Sequence, residues 1–469
     1  MRLFPIALIS AGLAIPALVA PALASAAVEL GKLQATDPFI DALFADTCDL
    51  HTGLAILGAS GVPFLDAPGG AYLFDVATRT QLAKFDLPSD LPNKQEVVGV
   101  ALGDSRAYVG TITDTLPGYR SLVHLFDTTD PVNPSLITTI IPSDADFDDD
   151  FGRAMVTDGP TTLIAAPSAD DNGALSGAVY IFDTATGAEL GKFTPDDGEG
   201  LDQFGFSVDL DGNLAIVGAR WESERGTRAG AAYLFDISDP AHPVQLAKLL
   251  GSEIEADDMF GFSVAIDGDL AIVGAIFDDD LGLDSGAAYV FDVSDPANPV
   301  ETVKITTLDG NGSDDIGWDV SLDGATALIT ARTDDDLFPG GGSAYLYDLT
   351  DPTTPVEMCK ITPSDGHANQ VFGWSADLDG DRVLVGASQD DELAESAGAA
   401  YLYDISGGPT PCNDADLSEP LGVLDFSDVL AFLTAFGSMQ PAADIAPPAG
   451  VFDFSDVLAF LTAFGGGCP

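Results

Sequence analysis

Residues 259–292 carry three hydrophobic patterns in succession. Phe262, Val264 and Ile266 alternate with Ser263 and Ala265, the period-two pattern of a half-buried strand. Asp267-Gly268 follows, a hairpin signal in which both central residues favour positive φ. Leu270–Ala275 is a continuous apolar run, expected of a strand covered on both faces. The segment AAYVFD (287–292) reads as a third strand. Beyond an SDPANP loop, VETVKI (300–305) reads as a fourth. No helical period interrupts residues 28–404.

The pattern recurs seven times. The third-strand tyrosine returns at Tyr72, Tyr180, Tyr233, Tyr289, Tyr345 and Tyr401, with His124 in the second copy. Phe-Gly returns at 151–152, 204–205, 260–261 and 372–373, with Ile316-Gly317 in its place once. A unit of 52–56 residues with four strands is a propeller blade. The ends of the array complement each other. VELGKLQAT (28–36) aligns with the fourth-strand segment VQLAKLLGS (244–252), yet no first three strands precede it. The last copy, 372–404, has three strands and no fourth. The first strand therefore completes the last blade and closes a seven-bladed ring, leaving no open edge.

The Phe-Gly pair, the VGA run (273–275) and the AAYVFD strand resemble FG-GAP repeats, the unit of the integrin α-subunit propeller. The resemblance implies an all-β propeller over residues 27–406, of a kind used for binding and adhesion. Integrin repeats often hold a calcium loop between the first two strands. Here that place is only the Asp-Gly turn, so calcium is not carried over to it.

The chain has 17 Lys+Arg against 75 Asp+Glu, a net charge of −58. Nucleic acid and anionic membrane surfaces are poor partners for it. Acids concentrate in the loops after the second strand: Asp278 and Asp280 with Asp284, Asp334 and Asp336, Asp390 and Glu392. Asp278-x-Asp280-x-Gly282-x-Asp284 has the alternate acids and turn glycine of a short calcium loop. A second acidic group precedes the Phe-Gly pair at Asp148–Asp150, Asp202, Asp257-Asp258 and Asp314-Asp315. Both loop sets emerge on one face, so one rim is densely negative. Ca²⁺ is the cofactor such a rim suggests; the other reading is a solvated acidic face for solubility in salt. Lysines recur on the fourth strand at Lys32, Lys84, Lys192, Lys248, Lys304 and Lys360, where they read as guards against edge pairing rather than as a basic site.

Residues 1–26 read as a secretory signal: Arg2, an apolar run, then a small-residue site for cleavage after Ala24 or Ala26. No later apolar run is long enough to span a bilayer. At the other end the composition changes. LDFSDVLAFLTAFG (424–437) returns as FDFSDVLAFLTAFG (452–465). Val429, Phe432, Leu433 and Phe436 share one helical face, so residues 412–469 read as two short paired helices. Cys412 and Cys468 bracket this module, and a disulfide between them would staple it. Cys48 and Cys359 fall on different blades and read as buried free thiols. The duplication resembles a dockerin module, of the variety ending in GGGCP. That resemblance implies calcium positions at Asp416, Asp425 and Asp428, and at Asp444, Asp453 and Asp456. It also implies a cohesin-like or envelope partner. The loop is one residue longer than standard and lacks the usual central Asn and Asp, so the role of an attachment tag transfers better than the ligand set.

No catalytic constellation is visible: there is no G-x-S-x-G, no H-E-x-x-H and no glycine-rich phosphate loop. The sequence therefore reads as a secreted, surface-associated, non-enzymatic propeller binding an extracellular protein or glycan. A polysaccharide-acting enzyme, or its accessory subunit, and a purely structural scaffold are the alternatives.

Overall fold

A computed structural model describes residues 27–37, 42–61, 69–88, 95–115, 118–144, 149–307 and 312–406. The signal segment 1–26, Asp148 and the module 412–469 lie outside the described residues. So do Asp416, Asp425, Asp428, Asp444, Asp453, Asp456, Cys412 and Cys468, with the helices, ligand set and disulfide expected of them.

Numbered along the chain, the described strands run from β1 to β28 and form seven four-stranded antiparallel sheets. The fifth blade is representative. Its strands are β18 (Phe260–Asp267), β19 (Leu270–Ala275), β20 (Ala287–Asp292) and β21 (Val300–Ile305), paired in chain order from the axis outward. The middle strands are buried on both faces, as their unbroken apolar runs require. Only β28 (Ala399–Asp404) pairs with β1 (Val28–Leu33), with Lys32 opposite Tyr401. The first strand thus closes the ring, and the core lies between blades rather than within one. Phe260, Val264 and Tyr289 of the fifth blade pack with Ile216, Leu234 and Leu249 of the fourth.

The Phe-Gly pair is explained by how neighbouring blades meet. Phe260 forms a parallel bridge to Gly230 of the preceding blade. A Cβ on Gly230 would lie 2.0 Å from the Phe260 carbonyl oxygen, and its φ is +86°, so only glycine fits. The Phe260 ring, drawn inward by this bridge, meets Tyr289 edge-on at 5.4 Å.

Two sequence expectations change in detail. The hairpin centre is Gly268-Asp269, and only the glycine has positive φ; the strand already includes Asp267. Thr52-Gly53 of the first blade is the pair in which both are positive. Phe262 does not share the core with Val264 and Ile266. A bulge between Phe260 and Val264 breaks the alternation and leaves Phe262 on the central channel.

Candidate functional site

The seven innermost strands line an axial channel. Its lower part, toward the hairpin face, is a cavity of about 500 Å³ walled by carboxylates. Asp49, Asp209, Asp319 and Asp377 each accept a backbone N–H from the next blade: Leu102 at 2.6 Å, Ile266 at 2.7 Å, Ala376 at 2.8 Å and Leu50 at 2.6 Å. A second tier repeats this at the turns, where Asp158, Asp211 and Asp379 accept from Gly212, Gly268 and Thr52. These acids tie blade to blade. Burial pushes Asp209 and Asp319 up to about 7. Asp49 and Asp377 are raised as well, by burial first and, for Asp49, by the neighbouring Asp377 carboxylate.

On the rim, the acidic loops lie beside the blade-to-blade connections, as the strand order demands. Ser313 and Asp315 donate backbone N–H bonds to Leu283 and Asp284. The acids are held by the repeated lysines. Lys304 Nζ is 2.6 Å from Asp278 and also pairs with Asp280. Lys360 lies 2.7 Å from both Asp334 and Asp336. Lys32 reaches Asp390 at 3.0 Å, Glu392 at 2.8 Å and Asp365 at 2.6 Å. In the last three blades the third-strand tyrosine completes the unit: Tyr289, Tyr345 and Tyr401 donate to Asp278, Asp334 and Asp390 at 3.0, 3.0 and 2.9 Å. Burial alone would raise Asp334, but bonds from Lys360, Ser343 and the Asp336 N–H outweigh it and hold its carboxyl below the usual range. Asp284, the last acid of the expected calcium loop, stands apart from this set. It faces Asp279 and Asp315, and burial with their charges raises it.

The edge-guard reading of the lysines is therefore corrected. Lys304 is on the outermost strand, yet its side chain is only 11% exposed and its ammonium is folded onto the tyrosine and aspartates. It occupies the place between Asp278 and Asp280 that the sequence suggested for a cation. Among the described residues, no three His, Cys, Asp or Glu side chains are grouped to hold a metal ion. The second blade drops the unit as a whole. His124 replaces tyrosine and Thr139 replaces lysine, 3.0 Å apart, with Thr111 on the other ring nitrogen at 3.1 Å. Burial lowers His124 to about 4.

The upper part of the channel, opening on the loop rim, is a cavity of about 430 Å³ and departs from the repeat. Phe206, Phe262, Trp318 and Trp374 hold the same place in four successive blades. Their ring centroids lie 4.9, 4.6 and 5.1 Å apart around the mouth. Arginines cover them. Arg332 lies 3.4 Å above Trp318, and Arg220 lies 3.6 Å above Phe206. Arg153, in the equivalent place one blade earlier, lies 4.9 Å from Phe206. Arg332 is aimed by Asp315 at 2.8 Å and Arg220 by Gln203 at 2.7 Å. Burial and the charge of Arg153 lower Arg220 to about 10.

Sequence reasoning missed this mouth. The available signal was the residue immediately after each Phe-Gly or Ile-Gly pair: Arg153, Phe206, Phe262, Trp318 and Trp374. Cys48 and Cys359 are free as expected, though half-buried rather than buried.

The family model described as FG-GAP repeat matches residues 135–182, 188–235, 243–291, 299–347 and 355–403, more than half of the chain. The chain belongs to the FG-GAP repeat family. Each matched FG-GAP unit begins at the fourth strand of one blade and ends in the third strand of the next. That offset is why an FG-GAP array opens on a lone strand and needs β1 to finish its last blade. No curated protein matches the chain.

Proposed function

We propose that the protein is a secreted, non-enzymatic binding propeller that takes an extracellular protein or glycan at the channel mouth and the surrounding loop rim. The fold supports a binding or adhesion role. One observation carries the choice of site. At the mouth, equivalent positions of four successive blades bring their aromatic rings together, and three guanidiniums cover them. Aromatic and arginine side chains are the residues enriched where binding energy concentrates. In this reading residues 1–26 direct export, and residues 412–469 attach the protein to an envelope or cohesin-like partner. The Lys304 ammonium is the resident cation of the Asp278–Asp280 loop, and Ca²⁺ takes that place only where the lysine is removed.

The test is retention of the secreted chain on immobilised extracellular glycans and proteins. Trp318→Ala with Trp374→Ala should abolish retention, while Asn213→Lys on the hairpin face should not. Retention unaffected by the tryptophan pair would reject the mouth as the site. Release of reducing ends from a polysaccharide panel would make the protein an enzyme instead.

A further inference from the structure

We propose that the upper chamber binds an acidic sugar residue, with Arg153 as the contact for its carboxylate. The inference rests on the binding reading and names its ligand class. Three residues of the chamber hold polar atoms open to a ligand. The Arg153 guanidinium makes no hydrogen bond or ion pair among the described residues, and its one ring contact is with Phe206. Ser60 bonds the Asp46 carboxyl, but Asp46 Oδ1 and Thr47 Oγ1 are buried and unbonded among the described residues. All three residues line the same cavity. Arg153 is exposed and free to turn to a ligand, whereas Asp46 Oδ1 and Thr47 Oγ1 cost free energy while unmet, and a ligand that meets them recovers it.

The chemistry of the wall selects the ligand. Guanidinium is an ion with a flat fork of N–H donors that matches a carboxylate. Arg153 and Arg220 share the Phe206 ring, and the Asp150 and Asp46 carboxylates face Arg153 without bonding its guanidinium, so its fork of donors is open to an incoming carboxylate. A cation would meet ring faces already covered by the chain's own arginines. The two acids of this chamber, Asp46 and Asp319, are pushed up to about 7 by burial and give up part of their charge near neutrality. Trp374 and Phe262 offer flat apolar surface for the C–H face of a sugar ring. The volume, about 430 Å³, is within the range of small-ligand pockets. The net charge of −58 repels anions at long range, but at 0.15 M salt the screening length is about 8 Å, and the rim acids are locally neutralised by lysine.

The experiment titrates the full secreted chain with trigalacturonate, its methyl ester and polyglutamate in 0.15 M salt, reading tryptophan emission. The acidic trimer should bind at least tenfold more tightly than the ester. R153Q should bring the trimer down to the ester's level, and W374L should weaken both, with unchanged thermal unfolding as the check on folding. Equal affinity for trimer and ester would overturn the carboxylate contact while leaving a glycan-binding propeller standing. Polyglutamate competing as well as the trimer would overturn the sugar in favour of a protein carboxylate. If no probe perturbs the tryptophans while the retention test above succeeds, this inference falls alone; if both fail, the binding reading falls with it.

Discussion

Lys304 on the outermost strand and Asp278 in the rim loop lie 2.6 Å apart, with Tyr289 bonded to the same carboxylate. Asp278 is only 2% exposed, so the ammonium is the counter-charge it is buried against. Removing one partner of a buried pair costs about 3–5 kcal/mol, because the other charge is stranded. Lys304→Met should therefore lower the unfolding midpoint well beyond a surface substitution, and adding Asp278→Asn should recover part of the loss. The wild-type midpoint should not respond to Ca²⁺ at fixed ionic strength, whereas Lys304→Met should gain a response. A Ca²⁺-specific rise in the wild type that Mg²⁺ does not reproduce would make the loop a metal site.

Acidification should stabilise the ring before it destabilises it. Asp209 and Asp319 rise to about 7 through burial, and Asp202 and Asp258 rise to about 6 for the same reason. An unfolded aspartate titrates near about 3.9. A group raised on folding stabilises fully below the unfolded value and loses that contribution as pH rises through the folded one. The melting temperature should thus increase from pH 8 to pH 5. Below about pH 4 it should fall, as carboxylates held down by lysine, such as Asp334, take up protons. Asp209→Asn with Asp319→Asn should flatten the slope between pH 5 and 8. An unchanged slope in that variant would place the effect elsewhere.

Closure by β1 has a kinetic signature. Leu50 of the first blade donates to Asp377 of the last, and Lys32 is bonded to Asp390 across β28. Deleting residues 27–36 should leave β28 as an open edge. Hydrogen exchange of residues 399–404 should accelerate by at least tenfold, and the truncated chain should self-associate. A peptide of residues 27–36 added in trans should restore protection. Unchanged exchange would mean that the ring does not depend on this strand.

The fold was legible because its signal is repeated. Seven copies of one hydrophobic pattern, with a lone fourth strand in front, admit one closed arrangement, and β1 takes that place beside β28. The lysine spacing was equally plain, but Lys304 and Asp278 meet only through the lateral path from β21 across β20 to the rim loop, which a period cannot reveal. Alternation counted along an unbroken strand puts Phe262 in the core; the bulge after Phe260 turns it onto the channel. Arg332 and Trp318 were hidden for another reason. Each looks like a single variant of its repeat, and their meaning appears only when four blades set their rings around one axis.

Oxidative footprinting shows whether ligand is taken at the channel mouth. The chain would be oxidised by hydroxyl radicals free in solution and again when captured on extracellular polymer from the organism that makes it. Oxidation at Phe206, Phe262, Trp318 and Trp374 should be lost on capture, with His51 on the hairpin face unchanged. Equal oxidation of the four rings in both states would contradict binding at the mouth.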